Sequence, residues 1–295
     1  MTHDRGLAHL TPLSREEEAY LLFFATGDLN VQIHGRKIRT IVGTTHPAML
    51  EHVLNTLGPY GRSMAYPVTT PGGYGWRLAC DLPAEFEFLR RKAVLAPKTD
   101  GSLSAEFTEG LSGFGDAEGH IGLSGSGRLA RGRFKVSNRV KQIVESFGDG
   151  LVSGGFRGRI YELVCNGASQ YELEVAGQDA VELLPLLRFR HPEKIAAKRL
   201  VLKYHGTPWE VAGDQYRQFR KRIKRQRDEF VKLAETAFHV WPMRKEQMRV
   251  ELKRRVRETC VLRTSGLMIS QISEKLGCSE RTVYRHLAAD WSRIS

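Results

Sequence analysis

The chain repeats itself. "LLFFATGDLNV" (Leu21 to Val31) is followed by strand-like alternation in "VQIHGRKIRTIV", a helix-like "HPAMLEHVLNTLG", a Gly/Pro-rich turn leading into "GYGWRLACDL", and "PAEFEFLRRK". After "LSGFGDAEGHIGL" (Leu111 to Leu123) the same order returns in "GRFKVSN", "RVKQIVESFG", "RIYELVCNGASQYELEVAG" and "QDAVELLPLLRFR". A unit of helix, two strands, helix, two strands, helix, met twice, constrains the fold more than any composition figure. Val31 and Ile33 alternating with Gln32 and His34 suit strands with one face on a core and one face wet. The expected class is α+β: two pseudo-symmetric αββαββα repeats over residues 11–97 and 102–204, then an all-α region.

Ser14 followed by Glu17 reads as a capping box that opens the first helix. In the helices that carry the two quoted stretches, Phe23 shares a face with Gly27, and Gly113 with Ala117. Glycine inside a helix costs about 1 kcal/mol relative to alanine, so Gly113 and Gly115 call for a compensating gain. Close approach of another backbone supplies one. Two such helices side by side bring their C-terminal ends together and make neighbours of Asp28 and Glu118. The alternative is that Gly27-Asp28 and Glu118-Gly119 are ordinary glycine-capped helix ends. The macrodipole opposes an acid at that place.

The 295 residues carry a formal charge of +12 and a pI near 9.7, which favours a polyanionic partner. The longest apolar run, "AYLLFFA", is too short to cross a bilayer. The opening "MTHDRGLAHLTPLSREEEAY" lacks the layout of a secretory signal, so a cytoplasmic, nucleoid-associated protein without a membrane partner is expected. Cys80, Cys165, Cys260 and Cys278 are scattered and read as small buried hydrophobes, and the ten histidines form no metal-binding cluster. Soft-ligand cofactor chemistry has no support.

With both motifs in view, the chain resembles the single-chain, two-motif LAGLIDADG homing endonucleases over roughly Thr11 to Tyr204. Leu111-Ser112-Gly113-Phe114-Gly115-Asp116-Ala117-Glu118-Gly119 follows the family's nine-residue pattern, with glutamate for aspartate at the eighth place. The first copy, Leu21 to Leu29, departs further. Phe23 replaces the small third residue, Thr26 the sixth acid and Leu29 the final glycine, while Asp28 keeps the eighth-place acid. The resemblance implies a saddle-shaped DNA-binding domain in which Asp28 and Glu118 are catalytic and hold Mg²⁺, each serving one strand. Hard Mg²⁺ is satisfied by one or two carboxylates with water and substrate oxygens, so no larger cage is required. The resemblance also implies a basic residue near the end of each repeat, and Lys92 and Arg190 are the candidates, with a solvated charged surface as the alternative.

For DNA contact, the wet strand faces offer Gln32, His34, Arg36, Lys37 and Arg39 after the first motif. Arg128, Arg131, Arg133 and Lys135 follow the second. Arginine reads guanine edges and glutamine adenine edges in a major groove wide enough for a two-stranded ribbon. Others among them would touch phosphate only.

Beyond Tyr204 the composition shifts. From Arg217 to Arg263 sixteen Lys/Arg stand against six Asp/Glu, a net of +10, so most of the chain's excess charge lies here. Phe219, Ile223, Phe230, Ala234 and Phe238 keep helical spacing, and Pro242 is expected to break or bend the helix. Residues 205–250 thus read as a basic helical linker. Residues 251–295 read as a helix-turn-helix, similar to those of resolvases and many transcription regulators. Ile269, Ile272 and Leu276 form the inner face of its first helix. Gly277 turns the chain, Ser279 caps the second helix, and Val283 and Leu287 pack it back. Glu280, Arg281, Thr282, Tyr284 and Arg285 are then free to face a major groove. A helical pair used for protein contact is the alternative.

The expected function is a monomeric, site-specific endonuclease encoded in a mobile intron or intervening sequence. It makes a Mg²⁺-dependent double-strand cut in a long asymmetric DNA, with the helix-turn-helix adding affinity. A non-cleaving regulator of the same domain order, and a maturase that binds intron RNA, are the alternatives.

Overall fold

The computed structural model describes residues 12–99, 101–126, 128–165 and 167–288. Residues 1–11, most of the opening stretch without a secretory-signal layout, and 289–295, the end of the 251–295 segment, lie outside them. The chain divides into two compact units, 1–234 and 235–295.

In the first unit both repeats take the expected order. Repeat one runs α1 (Arg15–Asp28), β1 (Asn30–His34), β2 (Lys37–Thr44), α2 (Pro47–Leu57), β3 (Arg62–Thr70), β4 (Gly73–Leu82) and a 3₁₀ helix (Ala84–Arg91). Repeat two runs α3 (Ala105–Glu118), β5 (Gly119–Ser126), β6 (Leu129–Asn138), α4 (Lys141–Ser153), β7 (Gly158–Cys165), β8 (Ala168–Ala176) and α5 (Gln178–Leu186). Each repeat forms a four-stranded antiparallel sheet, β1-β2-β4-β3 in the first and β5-β6-β8-β7 in the second. The fold is therefore α+β, with two copies of one topology. Helix α6 (Pro192–Tyr204) follows, and then α7 (Trp209–Thr264).

Period-two burial makes the sheets one-sided. In β6, Ala130, Gly132, Phe134 and Val136 point to the core and alternate with Arg131, Arg133 and Lys135. Each repeat has its own core. One gathers Phe24, Leu57, Leu78, Leu82, Phe86 and Leu89, the other Phe107, Phe114, Phe134, Phe147, Leu173 and Val175. Phe23 crosses over. Its ring meets Phe147 edge-on at 5.0 Å between centroids and belongs to the core of the second repeat.

Helices α1 and α3 pack against one another, and the small residues have more than one purpose. A Cβ on Gly113 would lie 2.2 Å from the Tyr20 carbonyl oxygen, so Gly113 does admit the partner backbone. Gly115 does not. Its added Cβ would meet the rings of Phe189 and Phe134, within its own repeat. Phe23 rests on Gly110, where an added Cβ would be 3.0 Å from its ring, rather than on Gly113 or Gly115. The capping box is half present: Ser14 Oγ accepts from the Glu17 N–H, but the Glu17 carboxylate is bound to Arg190. A guanidinium offers the carboxylate two bonds with both partners charged, where the cap offers one bond from a neutral N–H.

Pro242 does not end α7, which continues as helix to Thr264. A proline removes one ladder bond and kinks the axis, but bonds on either side can carry the helix on. The boundary between the two units falls inside this helix. In the second unit, α8 (Ile269–Leu276) and α9 (Glu280–Leu287) are joined across Gly277, which sits in the left-handed region at φ 58°. Ser279 Oγ accepts from the Thr282 N–H, and Leu262, Ile272 and Val283 form a small core. Among the cysteines, Cys80 is buried, whereas Cys260 and Cys278 are half-buried. No helix among the described residues is long and apolar enough to cross a membrane.

Candidate functional site

Asp28 and Glu118 are the last residues of α1 and α3. Neither helix end is the left-handed glycine cap. Leu29 and Gly119 both follow in extended conformation, and the chain turns directly into β1 and β5. The two ends meet at Gly27. A Cβ there would lie 2.6 Å from Ala117 Cβ and 2.8 Å from Glu118 Cγ, so the missing side chain is what lets Glu118 lie beside the helix that ends in Asp28.

Burial and mutual repulsion govern the charges. Desolvation, with the Glu118 charge next in weight, pushes Asp28 up to about 7, opposed by Lys194. Glu118 is raised as well, by burial, again opposed by Lys194. A half-buried like-charge pair resists full ionisation unless a cation joins it. Asp28 Oδ2 is buried without a hydrogen-bond partner.

The cation comes from α6. His191 caps that helix, its Nδ1 accepting from the Glu193 N–H, and Pro192 stands at its first position. This start aims Lys194 of the first turn inward, where its ammonium donates to the Gly119 carbonyl. Its charge acts on Asp28, Asp116 and Glu118, while its own burial pulls its pKa down. Asp28, Asp116, Lys194, His191, Thr44, Thr45 and His46 share the lining of a cleft of about 300 Å³. Burial depresses His52 to about 4 and His191 to about 3, so both imidazoles are neutral at pH 7.

Asp116, at the sixth motif place, is occupied with holding the seam. Its Oδ2 accepts from the Tyr20 hydroxyl and from the Arg190 N–H, while Oδ1 is buried and unpartnered. At the equivalent place in the first copy, Thr26 Oγ1 accepts from the Ala93 N–H, so both residues capture a backbone N–H beyond the last helix of their own repeat, and only Asp116 also reaches across to the other helix.

The remaining candidates lie elsewhere. Arg190 forks onto Glu17 at 2.7 and 2.6 Å, reaches Glu109 at 3.5 Å and lies over the Tyr20 ring. Lys92 is exposed, just after the 3₁₀ helix, at φ 37°. Neither lines the cleft. Lys194 was missed by sequence reasoning because the repeat pattern ends at "LLRFR". The His-Pro-Glu-Lys helix start that follows it was the available signal. Gln32, His34, Arg36 and Lys37 are exposed on and around the β1–β2 hairpin, as are Arg128 and Arg131 at the start of β6. Arg39, Arg133 and Lys135 are half-buried beside acids on neighbouring strands. In the second unit Arg281, Tyr284 and Arg285 are exposed and Thr282 half-buried on α9. His286 turns inward to Thr259 Oγ1 at 3.1 Å, a contact not expected from the sequence.

Among the described residues no group of three or more His, Cys, Asp and Glu side chains is arranged to hold a metal ion. The acid pair nonetheless suits a hard divalent cation, which needs only one or two carboxylates from the protein. The unpartnered Asp28 oxygen and the raised affinity of both acids for protons are the marks of an oxygen site short of positive charge.

No protein-family model and no curated protein matches the chain. Solved structures do. The homing endonuclease I-WcaI bound to its DNA recognition sequence is 15% identical with a TM-score of 0.43, over 60% of this chain and 83% of that one. I-DmoI in complex with DNA and Ca is 16% identical at 0.42, over 63% and 98%. Full-length DUF199/WhiA from Thermatoga maritima is 14% identical at 0.36, over 97% and 92%.

Proposed function

We propose that this protein is a site-specific DNA endonuclease of the LAGLIDADG homing type. The observation that carries the reading is the meeting of Asp28 and Glu118 at the ends of two packed, pseudo-equivalent helices, each helix opening a repeat with its own sheet. Two acids on a pseudo-twofold seam give each strand of a duplex its own carboxylate. Asp28 and Glu118 would hold the divalent cation, Mg²⁺ in the cell. Such an ion, when bound, lowers the pKa of water and offsets charge on the attacking and leaving oxygens of a phosphodiester.

The chain's own residues divide the remaining work. Lys194 places an ammonium beside both acids, where it can stabilise negative charge on a phosphate and orient water. Asp116 and Thr26 fix the helix ends by capturing backbone N–H groups. Arg190 is a positioning residue that ties α1 to α3 through Glu17 and Glu109. Exposed cations on the hairpin and on β6 would take the backbone of the duplex, and unequal side chains on the two sheets suit a non-palindromic site. α9, with Arg281, Thr282, Tyr284 and Arg285, would enter a major groove and add affinity. A single chain with both acids needs no dimer.

The test is incubation of the full chain with Mg²⁺ and a duplex that it has enriched from a random pool. Paired cuts within the bound segment are expected. Tight binding with no cut by the wild-type chain would replace this reading with that of a regulator, and preferential binding of folded RNA with that of a maturase.

A further inference from the structure

In each sheet an arginine near the start of the repeat is held by an acid of the next strand, bidentately and directly opposite for Arg39, through one bond and diagonally for Arg133. Arg39 on β2 stands opposite Gln32, four residues beyond Asp28, and Arg133 on β6 stands opposite Gly122, four residues beyond Glu118. They therefore occupy equivalent places in the two repeats. Arg39 donates through Nε to Asp81 Oδ1 at 2.6 Å and through Nη2 to Oδ2 at 2.9 Å. Arg133 donates through Nε to Glu174 Oε1 at 2.5 Å. The acids lie on the next strand, β4 in one sheet and β8 in the other, and Lys135 adds a bond to Glu172 at 2.6 Å.

A carboxylate beside each cation is poor design for collecting phosphates, because it cancels the field that attracts them. It suits base reading. Guanidinium has five N–H donors; the acid takes Nε and one N–H of Nη2 in Arg39 and Nε alone in Arg133, which leaves the outward N–H groups of Nη1 and Nη2. Those groups are the fork that matches guanine O6 and N7. An arginine already fixed by its neighbour also loses less rotamer freedom on binding.

We propose that Arg39 and Arg133, aimed by Asp81 and Glu174, are the guanine-reading pair of this protein. They would specify one G·C pair in each half of the target at matched distances from its centre. The proposal rests on the duplex-DNA reading above.

The experiment is selection from a random duplex pool by the full chain in EDTA, which blocks cutting, followed by sequencing. The expected profile has a G·C pair at two positions symmetric about the centre, and replacing either weakens binding on the order of ten- to a hundredfold. Arg39→Lys, which keeps the charge and loses the fork, should flatten one of these positions, and Arg133→Lys the other. Asp81→Asn and Glu174→Gln should do so in their own half-site alone, with far-UV spectra and melting curves confirming that the variants fold. The proposal is overturned if the lysine variants select the wild-type profile. It is equally overturned if they lose affinity uniformly across sequences with a shallower salt dependence, which would mark phosphate contacts. Retention of no duplex by the wild-type chain would instead remove the DNA reading itself, and this proposal with it.

Discussion

Gly113 of α3 stands against the main-chain carbonyl of Tyr20 in α1, so near that a Cβ would lie 2.2 Å from the oxygen and 2.9 Å from its carbon. Backbone cannot yield as a side chain does. Gly113→Ala should therefore force the helices apart and cost about 2–3 kcal/mol, as overpacking does. Gly110→Ala meets the ring of Phe23, which can turn aside, and should cost less. Urea denaturation of both variants measures the difference, and equal losses would show that the backbone at the seam yields as readily as the ring of Phe23.

Arg190 is placed between two carboxylates, of which Glu109 is buried. Removing the cation leaves Glu109 with only Arg188, an exposed side chain 3.7 Å away. Arg190→Met should destabilise the first unit by about 1–3 kcal/mol. Adding Glu109→Gln should restore part of that loss, and a double-mutant cycle in chemical denaturation reads the coupling directly.

Asp28 gives a pH signature. Its carboxyl is raised from 3.8 to about 7 in the folded state, so over that window the folded chain binds more protons than the unfolded one. The stability that Asp28 contributes should then fall as pH rises from about 4 to about 7, against the opposite trend of the buried His52 and His191. Asp28→Asn removes the ionisation. It should raise the melting temperature at pH 8 by several degrees and have little effect near pH 4. Adding Mg²⁺ at pH 8 should recover stability in the wild-type chain and not in the variant.

In the second unit, Gly277 holds φ 58° between α8 and α9. A side chain there costs about 1–2 kcal/mol by clash with its own carbonyl. Gly277→Ala should lower the thermal stability of this unit. Gly277→Asn, whose side chain tolerates the left-handed region, should lower it less.

Much of this was legible in the sequence because it depends on periodicity and on the duplication. Alternation in β6, the repeated order of elements and the glycines at the helix seam are local or repeated signals. The correspondence of Asp28 and Glu118 followed from the repeat alone. The losses share a cause: a residue's partner lay far along the chain. Glu17 abandons its cap for Arg190, more than a hundred and fifty residues later. Lys194 reaches the acids only because α6 folds back over β5. Arg39 and Arg133 look like free cations in sequence, and their acids arrive from β4 and β8. At Pro242 the alternative of a break is not taken: one ladder bond is lost while the bonds on either side carry the helix on.

The proposed joint action of Asp28 and Glu118 on DNA is read by strand-resolved cleavage of an end-labelled, enriched duplex with Mg²⁺ under single-turnover conditions, using wild type, Asp28→Asn and Glu118→Gln at matched binding. Each variant should bind as the wild type does and lose at least a hundredfold in the cutting rate of one or both strands. Undiminished cutting of both strands by both variants would rule that role out.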